Sequence, residues 1–360
     1  MTVLKKPVAG EWNSGVADEI WVLGEAGADG ELTAPAFELT AGARGLADAL
    51  SSSVDRPHGV TVVLTLDAKT ADRCGPEKLG PYGADRVLVV KSESLPFDRA
   101  ACARILAHLA GTSRPAILIA SASAFGRSVM PYAAALLRTG LTADCTGLSI
   151  EPGSGLLLQT RPATGGNVMA TIRTPDHKPQ MATVRPKTFE IPEPVTGRPV
   201  RILTPELPEE LRKGTVRTVK FERFAGGEGT LQDGEVVVSG GRGLRRAEGF
   251  DLIAKLASLL GAGVGASRPA VEMKWMGYPH QVGLSGQVVS PRVYIAAGIS
   301  GAVQHLAGMQ TSEKIISVNR DPDAQIFGVS DVAICGDLYE VLPKLIEKIE
   351  AKIGEKGGRA

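Results

Sequence analysis

The sequence predicts an α/β protein of two domains: an N-terminal mostly parallel Rossmann-like sheet with a late antiparallel section, and a C-terminal doubly wound domain. Three observations carry this. Short β-rich apolar runs alternate with amphipathic stretches through residues 19–150. At 360 residues the chain is too long for one typical core. Its 43 glycines, against 4% aromatic residues, suit many tight turns between strands and helices.

In chain order, residues 1–16 form an N-terminal extension and the first domain spans 17–200. Ile20–Leu23, Val60–Leu66, Arg86–Val90 and Ala116–Ala120 are continuous apolar runs, as strands buried on both faces require. Between them Glu38–Leu50, Phe97–Ala110 and Ser128–Leu137 space their apolar residues at helical intervals. From Leu141 the rhythm changes: Thr146–Ile150, Leu156–Gln159, Asn167–Thr174 and Gln180–Arg185 follow one another with turns and no helix, which predicts the antiparallel section. Pro192, Pro194, Pro199, Pro205 and Pro208, with Gly226-Gly-Glu-Gly229, mark an extended seam over 187–234, with the linker set at 201–234 and expected to act as a hinge. The second domain, 235–352, repeats strand, glycine turn and helix, and closes on Leu338–Ala351 with Leu342, Leu345, Ile346 and Ile349 on one face. Residues 353–360 are expected to fray.

Charge and composition exclude several functions. Lys+Arg 40 against Asp+Glu 39 gives a formal charge of +1, no footprint for nucleic acid or an anionic membrane. No apolar run approaches the ~18–20 residues of a membrane span. The N-terminus has Lys5 and Lys6 but no apolar core after them, so it does not read as a signal peptide, and a cytoplasmic protein is expected. Cys74, Cys102, Cys145 and Cys335 lack metal or iron–sulfur spacing, so no metal site is expected and all four read as reduced, packed thiols. Redox chemistry would then fall to a bound cofactor.

The informative stretch is a row of five glycine-punctuated turns: Ser239-Gly-Gly-Arg-Gly243, Gly265-Ala-Ser-Arg268, Gln281-Val-Gly-Leu-Ser-Gly-Gln287, Gly298-Ile-Ser-Gly-Ala-Val-Gln-His305 and Asn319-Arg-Asp-Pro322. Several follow apolar runs directly (Val236–Val238, Val293–Ala297, Ile315–Val318). A strand that breaks at glycine leaves free N–H groups and suits a diphosphate. The first domain has no comparable motif, since its first strand ends in Gly24-Glu-Ala-Gly27.

Together these turns resemble the FAD-binding domain of the electron-transfer flavoprotein α subunit. The resemblance is strongest through Arg292–Met309, continues through Ile316–Phe327 to Gly336-Asp-Leu338, and extends more loosely over 17–190 through Ile20–Glu25, Gly126-Arg-Ser128 and Leu141–Cys145. It implies FAD in the second domain and a first domain packed on a separate β subunit that carries AMP or a second FAD.

The resemblance also implies site residues. Arg242 and Ser267 would contact the diphosphate, with Gln281, Val282, Gly283, Gly298, Ser300, Gly301 and Gln304 as further FAD contacts. Gly301 would let the backbone approach the ligand. Arg268 would lie against the isoalloxazine ring, where a fixed cation favours reduced flavin. A surface arginine at 242 and a salt-bridged structural arginine at 268 are the plain alternatives. The loop 281–287 departs from the commoner Q-V-G-Q-T-G-K: Leu284 forfeits a polar side chain, as in some members from anaerobes; Ser285 keeps the hydroxyl that donates to flavin N5; and Gln287 replaces lysine. His305, as donor or imidazolium, would stabilise negative charge near the flavin N1–C2=O edge. Asn319, Asp337 and Leu338 would take the adenosine half, although Asp337 can equally cap the final helix.

The implied function is electron relay from flavoprotein dehydrogenases, such as acyl-CoA dehydrogenases, to an acceptor such as a quinone reductase. Two rivals remain: a bifurcating assembly in which NADH also reduces ferredoxin, and a nicotinamide-binding enzyme using the same turns.

Overall fold

The computed structural model describes residues 18–212 and 231–357, apart from 28, 69–70, 93–94, 96–97, 164–167 and 232–233, together with 214, 216 and 219 between them. The chain divides into two compact units between residues 222 and 223.

The first unit contains β1 (Ile20–Gly24), α1 (Ala34–Val54), β2 (Val60–Leu66), β3 (Arg86–Lys91), α2 (Arg99–Ser113), β4 (Ile117–Ser121), α3 (Ala124–Leu137), β5 (Leu141–Cys145), β6 (Gly147–Ile150), β7 (Leu157–Pro162), β8 (Met169–Ile172), β9 (Gln180–Val184), β10 (Arg201–Leu203) and α4 (Glu209–Arg212). Seven strands form one parallel sheet in the order β10-β3-β2-β1-β4-β9-β5. Strand alternation sends Ile20 and Val22 to the side of α1, among Leu39 and Leu46, and Trp21 and Leu23 to the side of α2 and α3, among Leu106 and Met130. A sheet covered on both faces explains the unbroken apolar runs.

Three expectations change here. Gln180–Arg185 does not join the antiparallel section, which is the three-stranded sheet β6-β7-β8. It forms β9, buried along its whole length and inserted in parallel between β4 and β5. Leu141–Cys145, quoted only as a motif, is the edge strand beside it, with a register shift next to Asp144 at φ 66°. The segment 201–212, assigned to the linker, belongs to the first unit, because β10 pairs with β3 and Leu207 and Leu211 are buried among α2 side chains. Most of the rest of the stretch expected to act as a hinge, Gly226–Gly229 included, lies outside the described residues.

The chain leaving β9 is strapped down by one side chain. Glu38 on α1, 4% exposed, accepts the backbone N–H groups of Lys187, Thr188 and Phe189 at 2.9, 2.9 and 3.1 Å. Phe189 fills the space beside Gly42, where a Cβ would meet its ring at 2.5 Å. Glu38→Ala leaves three donors without an acceptor and is expected to cost about 3 kcal/mol, less if water enters, in denaturant unfolding of the first unit.

The second unit contains β11 (Val236–Gly240), α5 (Phe250–Leu260), β12 (Gly263–Ala266), α6 (Arg268–Glu272), β13 (Val293–Ala297), α7 (Val303–Leu306), β14 (Lys314–Asn319), β15 (Val332–Cys335) and α8 (Leu338–Gly357). Its five strands are all parallel, in the order β12-β11-β13-β14-β15. One face packs on the long helices, with Val238, Ile295 and Val318 meeting Ile253, Leu256, Leu342 and Ile346. The other face, Val237, Tyr294 and Ala296, is covered by loop residues Val282, Val289, Ile299 and Ile326, with α7 a single turn. Register places Gly240 beside Ala266 and Ala297, so the glycine turns leave the sheet along one edge. Helix α8 runs to Gly357, past the boundary expected at 353.

Candidate functional site

At the carboxyl ends of β11 to β14 the turns enclose a cleft of about 550 Å³. Two turns form its floor. Gly243 N–H donates to Gly298 O at 2.9 Å, and a Cβ on Gly243 would lie 2.6 Å from Gly298 Cα. Only glycine permits this backbone-on-backbone packing, and Gly298 itself sits at φ 65°. The turn leaves Arg242 and Arg245 on the cleft wall.

Ser267 follows β12, held by its N–H to Gly240 O at 3.0 Å. Its hydroxyl is buried and has no partner, and the residue lines the cleft. Arg268, 63% exposed, gives its Nε to Glu272 Oε1 at 2.8 Å. The salt-bridged alternative is therefore real, and the cation is neither dry nor unpaired.

The 281–287 loop lies beside it. Val282 N–H donates to Ala266 O at 2.9 Å and Leu284 N–H to Gln304 O at 2.7 Å, with Gly283 at φ 142°. Gln281 Nε2 donates to Ser285 Oγ at 3.1 Å, which leaves the Ser285 hydroxyl proton available to the cleft. Gln281 is buried and positions Ser285 rather than lining the cleft, and the Leu284 side chain stands out at 58% exposed.

His305 is the most buried titratable group of the site. Its Nε2 lies 3.0 Å from the hydroxyl of Tyr294, which is fully buried in β13, and its Nδ1 is buried without a hydrogen-bond partner. Burial pushes its pKa down to about 4, an effect the nearby Val282 backbone opposes only in part. The imidazole is thus neutral near pH 7 in the flavin-free chain, which favours the neutral-donor role over the imidazolium. Burial likewise pushes the Tyr294 hydroxyl up, so it stays protonated.

Ser300, Gln304 and Asn319 line the cleft; Asn319 Nδ2 donates to Ile299 O at 2.9 Å while its Oδ1 accepts from Asp321 N–H at 3.1 Å, so its amide braces the turn. Gly301 does not face the cleft: at φ 85° it packs on the Ile326 backbone. Leu338 is buried in the apolar cluster under α8. Asp337 caps that helix, accepting Tyr339 N–H at 2.9 Å, and its other oxygen lies 3.5 Å from Arg245. The cleft thus gathers Arg242, Ser267, Arg268, Val282, Gly283, Ser285, Gly298, Ser300, Gln304, His305 and Asn319, but not Gln281, Gly301, Asp337 or Leu338.

Gly243, Ile299, Ala302, Arg320 and Asp321 also line the cleft from within the quoted turns, whereas sequence reasoning missed Arg245, Pro269 and Glu272. Glu272 was readable as the i+4 neighbour of Arg268 on a helix. Arg245 was not, since it reaches the wall through a left-handed turn at φ 64°.

Among the described residues, none forms a group of three or more His, Cys, Asp or Glu placed to hold a metal, and no helix is long and apolar enough to cross a membrane. Cys74, Cys102 and Cys145 are buried, with thiols pushed up to about 11, 11 and 12 by desolvation. Cys335 is exposed, contrary to the expectation that all four pack as small hydrophobes, because it ends an edge strand.

A parallel sheet with a glycine-floored cleft at its carboxyl edge defines a nucleotide-binding module. Residues 20–220 match the electron transfer flavoprotein domain and residues 230–310 the electron transfer flavoprotein FAD-binding domain. The electron transfer flavoprotein subunit alpha of Thermoanaerobacterium thermosaccharolyticum is 40% identical over 335 residues, which is 92% of this chain and 98% of that protein. Protein FixB of Clostridium saccharobutylicum is 40% identical over 330 residues, 91% of this chain and 95% of that one. Lactate dehydrogenase (NAD(+),ferredoxin) subunit LctC of Acetobacterium woodii is 37% identical over 329 residues, 91% of this chain and 76% of that one. The chain belongs to the electron-transfer flavoprotein α-subunit family, whose members pair with a β subunit. Its second unit is the FAD-binding domain.

The residues fit FAD. Ser267 Oγ and His305 Nδ1 are buried polar atoms with no protein partner, and both residues line the cleft. The wall carries Arg242, Arg245, Arg268 and Arg320 against Glu272 and Asp321, an excess of positive charge suited to a diphosphate.

Proposed function

We propose that this chain relays electrons, in the cytoplasm and in a heterodimer with a β subunit, from flavoprotein dehydrogenases such as acyl-CoA dehydrogenases to a downstream acceptor. The observation that carries the reading is the pair of unpartnered buried atoms, Ser267 Oγ and His305 Nδ1, at one cleft. When bound, FAD supplies the one- and two-electron chemistry. Arg242, Ser267 and the backbone around Gly243, Gly298 and Ser300 hold the diphosphate. Val282, Gly283, Ser285, Gln304 and His305 receive the ring, with Arg268 at its edge. Asn319 and Arg320 border the adenosine half, and Asp337 acts there only through Arg245.

Arg242 makes no ion pair among the described residues, so it is available to a phosphate. Arg242→Ala is expected to weaken FAD binding about tenfold or more, the loss of a charge-assisted contact of ~1.5–3 kcal/mol, in a fluorescence titration of the apoprotein complex.

A second reading, bifurcation with NADH as donor and ferredoxin as one acceptor, is favoured by one observation: the 37% identity to a subunit named for a NAD(+),ferredoxin lactate dehydrogenase. Counting nucleotides released from the purified α/β protein separates the two. The relay predicts one FAD and one AMP; two FAD would replace it with the second reading.

A further inference from the structure

Glu272 stands one helical turn after Arg268 on α6, and both residues line the cleft. The carboxylate accepts from Arg268 Nε at 2.8 Å. Anchoring a guanidinium by Nε fixes its plane while leaving the N–H donors of both Nη atoms free for a ligand. The same contact sets a negative charge against the positive one.

Asp321, the other carboxylate on the wall, lies beyond β14. In the sheet order β12-β11-β13-β14, the strand ending beside Arg268 is three places away from it, about 14 Å at ~4.8 Å per strand. Glu272 is therefore the acid at the end of the cleft formed by Arg268, Ser285 and His305.

We propose that Glu272 is a positioning residue that also tunes the bound flavin: it orients Arg268 and offsets its charge, so that the reduction potential lies below the value an unpaired arginine would set. The inference rests on the FAD reading of the cleft. Reduction adds negative charge at the ring, so a neighbouring cation favours the reduced form and a neighbouring carboxylate opposes it. The side chains are 63% and 58% exposed, so solvent screens the pair until a ligand or partner covers it.

Glu272→Gln separates charge from position, because the amide oxygen can still accept from Arg268 Nε. The test is spectroelectrochemical titration of the flavin-loaded α/β protein at low ionic strength, wild type against Glu272→Gln. Glu313→Gln, an exposed acid just before β14 at the far edge of the sheet, is the control. In Glu272→Gln the preference for reduced over oxidised FAD is expected to rise several-fold, a tenfold rise being about 59 mV for one electron. Glu313→Gln should leave it unchanged. A loaded Glu272→Gln protein with an unchanged or lower potential overturns this inference alone. A wild-type α/β protein carrying no FAD in this subunit overturns the parent reading, and this inference with it.

Discussion

Gly301→Ala is expected to strip FAD from the second unit and destabilise it by about 3 kcal/mol or more. Gly301 lies at φ 85°, and a Cβ there would sit 2.2 Å from Ile326 N and 2.6 Å from Ile326 Cα. Those are backbone atoms, and Ile326 N–H donates to Ser300 O at 3.1 Å, so the two segments cannot separate without breaking that bond. Ile326 is also fully buried in the apolar cluster beneath the loops. Relieving the clash therefore moves Ser300, which lines the cleft. Gly328→Ala, in the same turn with nothing within 4 Å, should be close to neutral. Denaturant unfolding together with visible flavin absorbance checks both variants. Equal stability and flavin content in the two would contradict the account.

Arg268→Ala should lower the flavin potential, because the reduced form loses more stabilisation than the oxidised one. The exposure of Arg268 and its pairing with Glu272 reduce the effect below that of a dry, isolated cation. A shift of several tens of millivolts is expected, ~60 mV corresponding to ~1.4 kcal/mol for one electron. His305→Ala should act in the same direction, through loss of a neutral donor. Since the His305 pKa is pushed down to about 4, its effect on potential should be the same at pH 6 and pH 8. Its effect on stability is different. The folded value lies below the ordinary 6.5, so the unfolded chain binds the extra proton; the native state is favoured in full above about pH 6.5 and loses that advantage as pH falls toward 4. Potentials measured for both variants at the two pH values test this. A His305→Ala shift that grows at the lower pH would restore the imidazolium.

Much of this architecture is legible in the sequence, because its signals are local. Val60–Leu66 is a strand over the residues that its apolar run marks out. Four of the five turns meet because parallel strands in register end together, and the 281–287 loop is tied to them through Ala266 and Gln304. What stayed hidden depends on distant partners. β9 contains Gln180 and Thr183, which break an apolar pattern, yet both are buried. Gln180 Oε1 accepts from Leu157 N–H at 2.8 Å and Thr183 Oγ1 from Asp144 N–H at 3.0 Å. No local pattern announces such bonds, so the strand read as part of the antiparallel section. Prolines misled in a similar way, since a proline-rich stretch reads as linker even where, as at β10, it runs along a sheet edge. At the site, the residue types were readable but their surroundings were not. The burial of His305 against Tyr294 sets its protonation, and the contact of Gly301 with Ile326 rather than the cleft comes from a turn twenty-five residues later.

Every role proposed for these residues requires that the cleft at the carboxyl edge of β12, β11, β13 and β14 holds FAD. A crystal structure of the flavin-loaded α/β protein tests it most directly. Flavin density is expected across that cleft, with the isoalloxazine ring beside Arg268, Ser285 and His305, the diphosphate over Gly243 and Gly298, and the adenosine toward Asn319. FAD held only by the β subunit, with this cleft empty of it, would overturn the FAD reading of the cleft.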